Sequence, residues 1–442
     1  MREVFLSKMK FCFVKIAETP SFFQRTLAIP RGGEYNTHET KFGGITLKEL
    51  AQIASAVQVS STMAMDALAK QMKADGVDVI GFGAGEPDFN TPDHIKAAAE
   101  RAIAGNVTRY TPASGTLALK EAVCMRMRED CGLDYEPSQV VVTSGAKHCV
   151  YIALRALVDP GDEVILPAPF WVSYLELIKM MGAEPVVVTA GESAGFKITA
   201  EQLAAAITPR TKALILNNPC NPTGMVYSRE ELAALARVCV ERDIYLISDE
   251  IYCNLLYDGA EFTSAAALGE DVKERTILIN GVSKSYAMTG WRIGYLLSSQ
   301  QIAKVMANYL SHSTGSPSSV SQAASAAALT GPQDCVEAMR QAFEQRRNYF
   351  VERINAMEGV SCIKPEGAFY VMMNIEKQLG RTLCGEAIRS SDDFCAALLR
   401  HGLVAAVPGS SMGAPGFVRW SYAVSLDNIK KGMDRLEKFL KG

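Results

Sequence analysis

The sequence lacks the features that mark several classes of protein. Its 11 cysteines form no C-x-x-C motif and no group with histidine at metal-ligand spacing, so neither a metal site nor a disulfide framework is predicted. Its apolar runs are broken within a few residues by charged residues, Gly or Pro, far short of the roughly 20 residues of a membrane-spanning helix. We therefore expect a cytoplasmic protein with reduced cysteines and no membrane contact.

An excess of charge of one sign is also missing. The chain has 45 Lys and Arg against 48 Asp and Glu, interspersed along its length, with a formal net charge of -3. Such a distribution offers no basic surface for nucleic acid. With 442 residues, 48% of them hydrophobic, the chain is long enough to bury a large core in two domains. Small molecules are the expected partners.

The first 46 residues differ from the rest, because their basic and aromatic residues follow no clear period and are followed by the turn-rich Pro30-Arg31-Gly32-Gly33. One interpretation is a targeting segment. The other is a poorly ordered extension, or a start codon placed too early, and Glu3 and Glu18 favour it because transit peptides are poor in acidic residues. No chemical role is predicted for residues 1–46.

From about Gly76 onward, short apolar runs rich in β-branched residues alternate with helical stretches, which is typical of a mostly parallel sheet covered on both faces. The predicted strands are Val77–Phe82, Gln139–Thr143, Glu163–Leu166, Ala213–Leu216, Tyr245–Ile247, Thr276–Ile279 and Ile293–Leu297. After about Gly331 the pattern changes and predicts a smaller α+β domain. Its predicted elements are a helix around Cys335–Met357, strands at Phe369–Asn374 and Phe417–Ala423, and a final helix.

Polar or aromatic segments directly follow five of these strands. They are Ser144-Gly145-Ala146-Lys147, Pro167-Ala168-Pro169-Phe170-Trp171, the segment from Asn217 to Gly224, Ser248-Asp249-Glu250-Ile251-Tyr252, and the segment from Asn280 to Tyr286. Ligands of open α/β sheets bind outside the carboxyl ends of the strands. We therefore expect the five segments to converge on one crevice.

That crevice would offer a lysine, a carboxylate, a tyrosine, an asparagine and an aromatic ring. It would also offer a phosphate site, made of Arg292 and of the helix start at Gly145 and Ala146. A phosphorylated aromatic aldehyde satisfies each of these groups. The lysine amine bonds to the aldehyde, the carboxylate keeps a pyridine nitrogen protonated, and the aromatic ring stacks on the pyridine.

At these residues the chain resembles the class I aminotransferases, and most closely their aspartate aminotransferases of the bacterial and plant branch. The segment from Ser283 to Gly294 resembles the family's cofactor-lysine motif. Five further segments follow the family's order, namely Gly85-Glu86-Pro87-Asp88-Phe89, Asn221-Pro222-Thr223-Gly224, Asp249-Glu250-Ile251-Tyr252, Gly367-Ala368-Phe369-Tyr370 and Val418-Arg419-Trp420-Ser421-Tyr422. The resemblance covers roughly residues 47–442, and six motifs in order are a specific match.

The resemblance implies the fold and the assembly. The fold is that of the pyridoxal-phosphate-dependent transferases of fold type I, an α/β architecture with a large, mostly parallel sheet. Residues 47–86 would join a small C-terminal α+β domain at 331–442, and residues 87–330 would form the large cofactor-binding domain. The protein would be a homodimer with shared active sites, acting on amino and 2-oxo acids.

The resemblance also implies which residues hold pyridoxal 5'-phosphate. Lys284 would bind the aldehyde covalently and later move the proton between the substrate and the cofactor, and Asp249 would pair with the pyridinium nitrogen. Tyr252 and Asn221 would hydrogen-bond the phenolic oxygen, while Trp171 would lie over the ring. The phosphate contacts would come from Gly145, Ala146, Ser283, Arg292 and, from the neighbouring subunit, Tyr110. The animal enzymes carry a serine where this chain has Gly281, so one phosphate contact is not matched.

For the substrate, the resemblance implies that Arg419 binds the α-carboxylate with help from the backbone of Gly85. Trp171 and Asn221 would contact the substrate as well. Lys147 would bind the second carboxylate of aspartate or glutamate, and Thr62 stands where the same branch carries a residue associated with prephenate. Aspartate and prephenate both remain open as substrates.

Other functions are weighed against this one. The glycines of Gly81-Phe82-Gly83-Ala84-Gly85 suggest a dinucleotide site, but the spacing is G-x-G-x-G and Pro87 disfavours the helix required after it. A transcription regulator built on this fold would need a DNA-binding module, and residues 1–46 show no helix-turn-helix pattern. A β-lyase or a ring-forming synthase on the same fold remains open, because fold does not determine function.

Overall fold

The structure, a computed structural model, describes residues 41–42, 45–46, 48, 50–57 and 61–442. The predicted extension at 1–46 therefore lies almost entirely outside the described residues, and its role stays a prediction. A two-stranded antiparallel hairpin is formed by β1 (Lys41–Phe42) and β2 (Ile45–Thr46). Residues Gln52–Gly442 form one compact unit.

The helices of this unit alternate with its strands along most of the chain. The helices are α1 (Gln52–Ser55), α2 (Ser61–Ala74), α3 (Asp93–Ala104), α4 (Leu117–Cys131), α5 (Ala146–Leu157), α6 (Val172–Met180), α7 (Ala200–Ala206), α8 (Arg229–Glu241), α9 (Glu270–Lys273), α10 (Gln300–His312), α11 (Ser319–Thr330), α12 (Asp334–Asn355), α13 (Ser391–Ala397) and α14 (Leu426–Lys441). The strands are β3 (Ile80–Gly81), β4 (Val140–Thr143), β5 (Glu163–Ala168), β6 (Glu184–Thr189), β7 (Thr211–Asn217), β8 (Tyr245–Asp249), β9 (Thr276–Gly281), β10 (Gly294–Leu297), β11 (Tyr370–Asn374), β12 (Thr382–Leu383), β13 (Glu386–Ala387), β14 (Val404–Ala405), β15 (Val407–Pro408) and β16 (Phe417–Ser421). Of the described residues, no helix has the length and apolar character required to cross a membrane.

The large sheet has seven strands in the order β4-β10-β9-β8-β7-β5-β6. Only β10 runs antiparallel to its neighbours. Alternate residues of the strands enter two separate apolar clusters, with Val141 and Ile279 in one and Val142 and Leu278 in the other. Both faces are thus covered, as continuous apolar runs require. The predicted mostly parallel sheet with helices on both faces is confirmed.

The strand predicted at Val77–Phe82 was wrongly placed in this sheet. Only Ile80–Gly81 is extended, and it pairs in parallel with β14 of the C-terminal part. The reason is aromatic packing, since the Phe82 ring lies 5.3 Å from that of Trp420 and 5.7 Å from that of Phe350. The seventh strand of the large sheet is instead β6, which was not predicted because its residues are half-exposed or exposed at the sheet edge.

The C-terminal part contains a three-stranded antiparallel sheet, β11-β16-β15. Phe350 of α12, Trp420 of β16 and Leu436 of α14 share one buried cluster. The helices and strands predicted after Gly331 are therefore confirmed to within two or three residues at each end. Residues 52–442 form a single compact unit, with no division that would test the domain boundary predicted at 330/331. That boundary stays a prediction.

The parallel strands place the polar segments at one edge of the large sheet. In the register of β7 and β8, Asn217 lies beside Asp249. The antiparallel β10 begins at the same edge, where Gly294 pairs with both Thr143 and Gly281, so Arg292 enters from the loop just before it. Five segments distant in sequence, the ends of β4, β7, β8 and β9 and the start of β10, thus meet at the carboxyl edge of the parallel strands.

Candidate active site

A cavity of about 350 Å³ opens at this edge of the sheet. It brings together most of the residues predicted for the site. Those on its wall are Gly85, Ala146, Lys147, Trp171, Asn221, Asp249, Tyr252, Ser283, Lys284, Arg292 and Arg419. The predicted crevice is therefore present as a single space.

Three predicted site residues are not on that wall. Gly145 lies just behind it, where a Cβ would come 2.5 Å from Nη2 of Arg292. Tyr110 is fully exposed, at 103% of its reference area, and lies away from the cavity. Thr62 belongs to α2, but its side chain lies outside the described residues.

Lys284 is half-buried and presents its amine to the cavity. Its Nζ donates a hydrogen bond to the carbonyl oxygen of Gly85, and within residues 61–442 no carboxylate forms an ion pair with it. Burial lowers the pKa of the amine to about 8, and Glu86 and Asp249 only partly oppose that effect. At neutral pH an appreciable fraction of the amine is therefore uncharged, which is the form that attacks an aldehyde.

Asp249 ends β8 with its side chain in the same cavity and almost no exposed surface. Its Oδ2 accepts a hydrogen bond from the hydroxyl of Tyr174 at 2.6 Å, and its Oδ1 accepts one from the amide of Ile251 at 3.2 Å. Burial raises the pKa of Asp249 to about 6 although both hydrogen bonds oppose the rise. A buried carboxylate of this kind is stabilised by a cation that enters the cavity.

A chain of amides connects Asp249 with the buried guanidinium of Arg419. Nδ2 of Asn217 donates to the carbonyl oxygen of Asp249 at 2.8 Å, and Oδ1 of Asn217 accepts from the amide of Asn221 at 2.7 Å. Nη1 of Arg419 then donates to Oδ1 of Asn221 at 3.0 Å, and Nη2 donates to the carbonyl of Gly83 at 2.8 Å.

Arg419 is 1% exposed, and its Nε has no hydrogen-bond partner in the described structure. The described residues also give it no carboxylate partner. A buried charge without a counter-ion is costly, so the position is suited to an anionic ligand.

Arg292 supplies a second cation to the cavity. Its Nη1 donates to the carbonyl of Thr289 at 3.1 Å and its Nη2 to the carbonyl of Ser144 at 3.2 Å. The start of α5 lies directly beside it, so a helix N-terminus and a guanidinium face the same space. The amide of Gly145 already donates to the carbonyl of Thr143 at 2.8 Å, and a phosphate could use that amide only by displacing this bond.

Lys147 and Trp171 lie together on the wall. Nζ of Lys147 is 5.0 Å from the centre of the Trp171 ring, within the range of a cation–π contact. Burial, and then the charge of Arg292, lower the pKa of Lys147. The Trp171 ring in turn packs edge-on against Tyr174, with ring centres 5.2 Å apart, so the indole is held in one orientation.

Sequence reasoning missed three residues that shape the site. Tyr174 binds Asp249, Asn217 supports the amide chain, and Tyr370 touches Tyr252. Asn217 and Tyr370 lie in two of the motif segments of the sequence, but nothing local distinguishes them from packing residues. Tyr174 lies outside those segments, and its contact with Asp249 joins two positions that are 75 residues apart in the sequence.

Comparison with known proteins gives consistent matches. The sequence model of the family described as "Aminotransferase class I and II" matches residues 77–436. The aspartate aminotransferase of Geobacillus stearothermophilus is 50% identical over 392 residues, which are 89% of this chain and 99% of that protein. The aspartate/prephenate aminotransferase of Cereibacter sphaeroides is 45% identical over 395 residues, 89% and 99% of the two chains. The crystal structure of the aspartate aminotransferase of Rhizobium meliloti superposes with a TM-score of 0.86 at 42% identity, over 89% of this chain and 99% of that one.

Proposed function

Since the chain belongs to the class I and II aminotransferase family, we propose that it is an aspartate aminotransferase that exchanges the amino group between aspartate or glutamate and their 2-oxo acids. One observation carries the proposal. A half-buried lysine and a buried carboxylate line the same cavity of about 350 Å³, and neither forms an ion pair with a described residue. These are the two groups that a pyridine aldehyde requires.

Enzymes of this family depend on pyridoxal phosphate, and the residues around the cavity fit that group. Lys284 offers the amine, Asp249 the partner of the ring nitrogen, and Arg292 with Ala146 and Ser283 the phosphate contacts. When bound, the cofactor supplies an electron sink for the negative charge that develops at the substrate Cα.

The protein's own residues would carry out the remaining work. Lys284 would move the proton at the substrate Cα, and Asp249 would keep the ring nitrogen protonated. Tyr252 and Asn221 would hold the phenolic oxygen, and Trp171 would shield the cofactor from water. The overall reaction is an exchange in two halves, because the amino group stays on the enzyme between donor and acceptor.

The phosphate site gives a first test. Gly145→Ala is expected to weaken cofactor binding at least about tenfold. Gly145 has a φ of +92°, which residues with a Cβ rarely adopt, and the new Cβ would come 2.5 Å from Nη2 of Arg292. Fluorescence titration of the cofactor-free protein with pyridoxal phosphate measures the dissociation constant.

A matched control is Gly132→Ala. Gly132 also has a positive φ, of +66°, but a Cβ there would meet nothing within 4 Å, and it ends α4 away from the cavity. This variant should bind the cofactor like the wild type. Equal losses in both variants would contradict the phosphate assignment, because they would report backbone strain alone.

Two cations fit the two carboxylates of aspartate and glutamate. Arg419 is buried with its Nε unpaired and suits the α-carboxylate. Lys147 projects into the cavity beside Trp171 and suits the distal carboxylate. This pair of cations supports a dicarboxylic substrate over a monocarboxylic one.

Lys147→Met is expected to lower kcat/KM for aspartate about ten- to a hundredfold, through loss of one partly buried ion pair with the substrate. Alanine, which lacks the distal carboxylate, should lose much less. Steady-state kinetics with both donors measure the difference, and Lys147→Arg, which keeps the charge, should retain most of the preference. A loss of the same size for aspartate and alanine would count against this role.

The substrate itself is tested by an assay panel. Aspartate, glutamate and alanine are offered as donors against oxaloacetate, 2-oxoglutarate and prephenate as acceptors, and the fastest exchange is expected between aspartate and 2-oxoglutarate. Prephenate belongs in the panel because the Cereibacter sphaeroides relative is named for both substrates. Absence of transfer from aspartate would refute the proposed specificity.

We also propose that the protein works as a homodimer. Tyr110 is fully exposed, and Val107 and Leu117 nearby are exposed apolar side chains. An exposed tyrosine flanked by apolar side chains is suited to an interface, where it could reach the phosphate site of a second copy. Sedimentation velocity of the purified protein gives the oligomeric state directly.

A further inference from the structure

Tyr370 stands at the centre of the candidate site without an assigned role. It begins β11, it is 1% exposed, and its side chain forms part of the cavity wall. Three functional segments meet around its phenol, namely those of Tyr252, Arg419 and Gly85.

The hydroxyl of Tyr370 lies 2.9 Å from the hydroxyl of Tyr252. Each hydroxyl has one proton to donate and can accept as well. If Tyr252 donates its proton to the phenolic oxygen of the cofactor, it can only accept from Tyr370. Tyr370 is then the donor of the pair, and a hydrogen bond accepted by Tyr252 makes its own O–H a stronger donor.

Arg419 lies over the ring of the same tyrosine, with the guanidinium carbon 4.7 Å from the ring centre. A buried positive charge at this distance draws electron density from the phenol and makes its hydroxyl more acidic. The charge of Arg419 opposes the rise in the pKa of Tyr370 that burial causes. A substrate carboxylate on Arg419 would cancel much of this influence.

Gly85 closes the third side of the Tyr370 hydroxyl. A Cβ at this position would lie 2.7 Å from Oη of Tyr370, so the hydroxyl packs directly on the glycine. The carbonyl of the same glycine accepts the hydrogen bond from Lys284. The orientation of the Tyr370 ring is therefore restricted by the segment that also contacts the lysine.

We propose that Tyr370 is a positioning residue that donates to Tyr252 and transmits the charge state of Arg419 to the group that holds the cofactor's phenolic oxygen. The proposal rests on the proposed function. Arg419 already contacts Asn221 directly at 3.0 Å, so Tyr370 forms a second path from the carboxylate anchor to the same oxygen. Binding of a substrate carboxylate to Arg419 would weaken the hydrogen bond that Tyr252 donates to the cofactor's phenolic oxygen. That oxygen would then hold more strongly the proton that it shares with the Lys284 nitrogen.

The test is a pH titration of the visible absorption of the cofactor-loaded protein. Its midpoint reports loss of the proton shared between the Lys284 nitrogen and the phenolic oxygen. Tyr370→Phe removes only the hydroxyl, and it should raise the midpoint by about 0.5 to 1 pH unit, the size expected when one hydrogen bond is weakened. Maleate, an unreactive dicarboxylate, should raise the midpoint of the wild type and should raise that of the variant by less.

Two further variants separate this role from a structural one. Tyr422→Phe removes a buried hydroxyl of the same cluster, which donates to the carbonyl of Ala368 at 3.2 Å, and it should leave the midpoint unchanged. In the background of Tyr252→Phe, adding Tyr370→Phe should produce no further shift. Adding Tyr370→Phe to the wild type or to Tyr252→Phe should change the affinity of the cofactor-free protein for pyridoxal phosphate by no more than about threefold, because Tyr370 does not act on the cofactor directly.

The outcomes are distinct. A Tyr370→Phe protein that folds with the wild-type unfolding temperature and titrates like the wild type would overturn the relay, and so would an undiminished shift in the Tyr252→Phe background. A wild-type protein that binds no pyridoxal phosphate would instead refute the proposed function itself.

Discussion

Lys284→Ala is expected to lower kcat/KM for aspartate at least about ten-thousandfold, the upper range for loss of a positioned proton-transfer group. The loss is large because one amine serves both as covalent partner of the cofactor and as proton carrier. Lys284 is half-buried and its pKa lies near 8, so the amine is reactive at neutral pH. A water molecule is not held in place by a side chain and cannot form the covalent link, so it is a poor substitute.

Borohydride reduction followed by mass spectrometry of the digested protein measures the covalent link. In the wild type the adduct should appear on the peptide that contains Lys284, and in the variant it should be absent. Lys120→Met is a matched control, because Lys120 is another half-buried lysine whose pKa burial lowers, and its Nζ is bound to Ser114 at 2.8 Å. A stoichiometric adduct in Lys284→Ala would show that another lysine carries the cofactor.

Asp249→Asn is expected to lower kcat about a thousandfold while the protein remains folded. The amide keeps the shape of the carboxylate and can still accept from Tyr174, but it carries no charge with which to hold the ring nitrogen protonated. Burial raises the pKa of Asp249 from an ordinary 3.8 to about 6. Ionisation above pH 3.8 therefore disfavours the folded state, and asparagine removes that cost at neutral pH.

The free energy of unfolding of the cofactor-free variant should accordingly be no lower than that of the wild type, as denaturant titration can show. Glu250→Gln is the matched control. Glu250 is the adjacent buried carboxylate, its pKa is raised to about 7 by burial, and its Oε1 accepts from Ser248 at 2.9 Å and from Ser264 at 3.0 Å outside the cavity. Its kcat should change only a few-fold. A comparable loss of kcat in both variants would indicate a general disturbance of β8 rather than a role for Asp249.

The architecture was predictable because buried parallel strands have a local signature. Runs such as the one in β7 are apolar at every position, and the polar residues that follow them mark the carboxyl ends of the strands. The same reasoning failed for β6, because a strand exposed at the sheet edge does not have a continuous apolar run. It also failed for Val77–Phe82. The apolar run at Val77–Phe82 is real, but its partner β14 lies more than 300 residues further along the chain.

Lys284 and Asp249 could be singled out as candidate site residues from their residue types and from their places after strands, and Arg292 from its place just before β10. The pKa values of Lys284 and Asp249 could not be anticipated in this way. The pKa values near 8 and 6 arise from burial, which depends on elements that close over the site from both ends of the chain. Arg419 shows the same dependence, since it contacts Gly83 across 336 residues and Asn221 across 198.

By itself, the sequence determined that this protein has a helix-covered parallel sheet and a lysine, an acid and two arginines near its carboxyl edge. Only the tertiary structure decided that Tyr370 lies between Arg419 and Tyr252, and that Tyr174 binds Asp249. The physical reason is the distance along the chain over which each effect acts. Apolar periodicity and turn chemistry act within a few residues, whereas desolvation and side-chain partners are set by segments that meet only when the chain has folded.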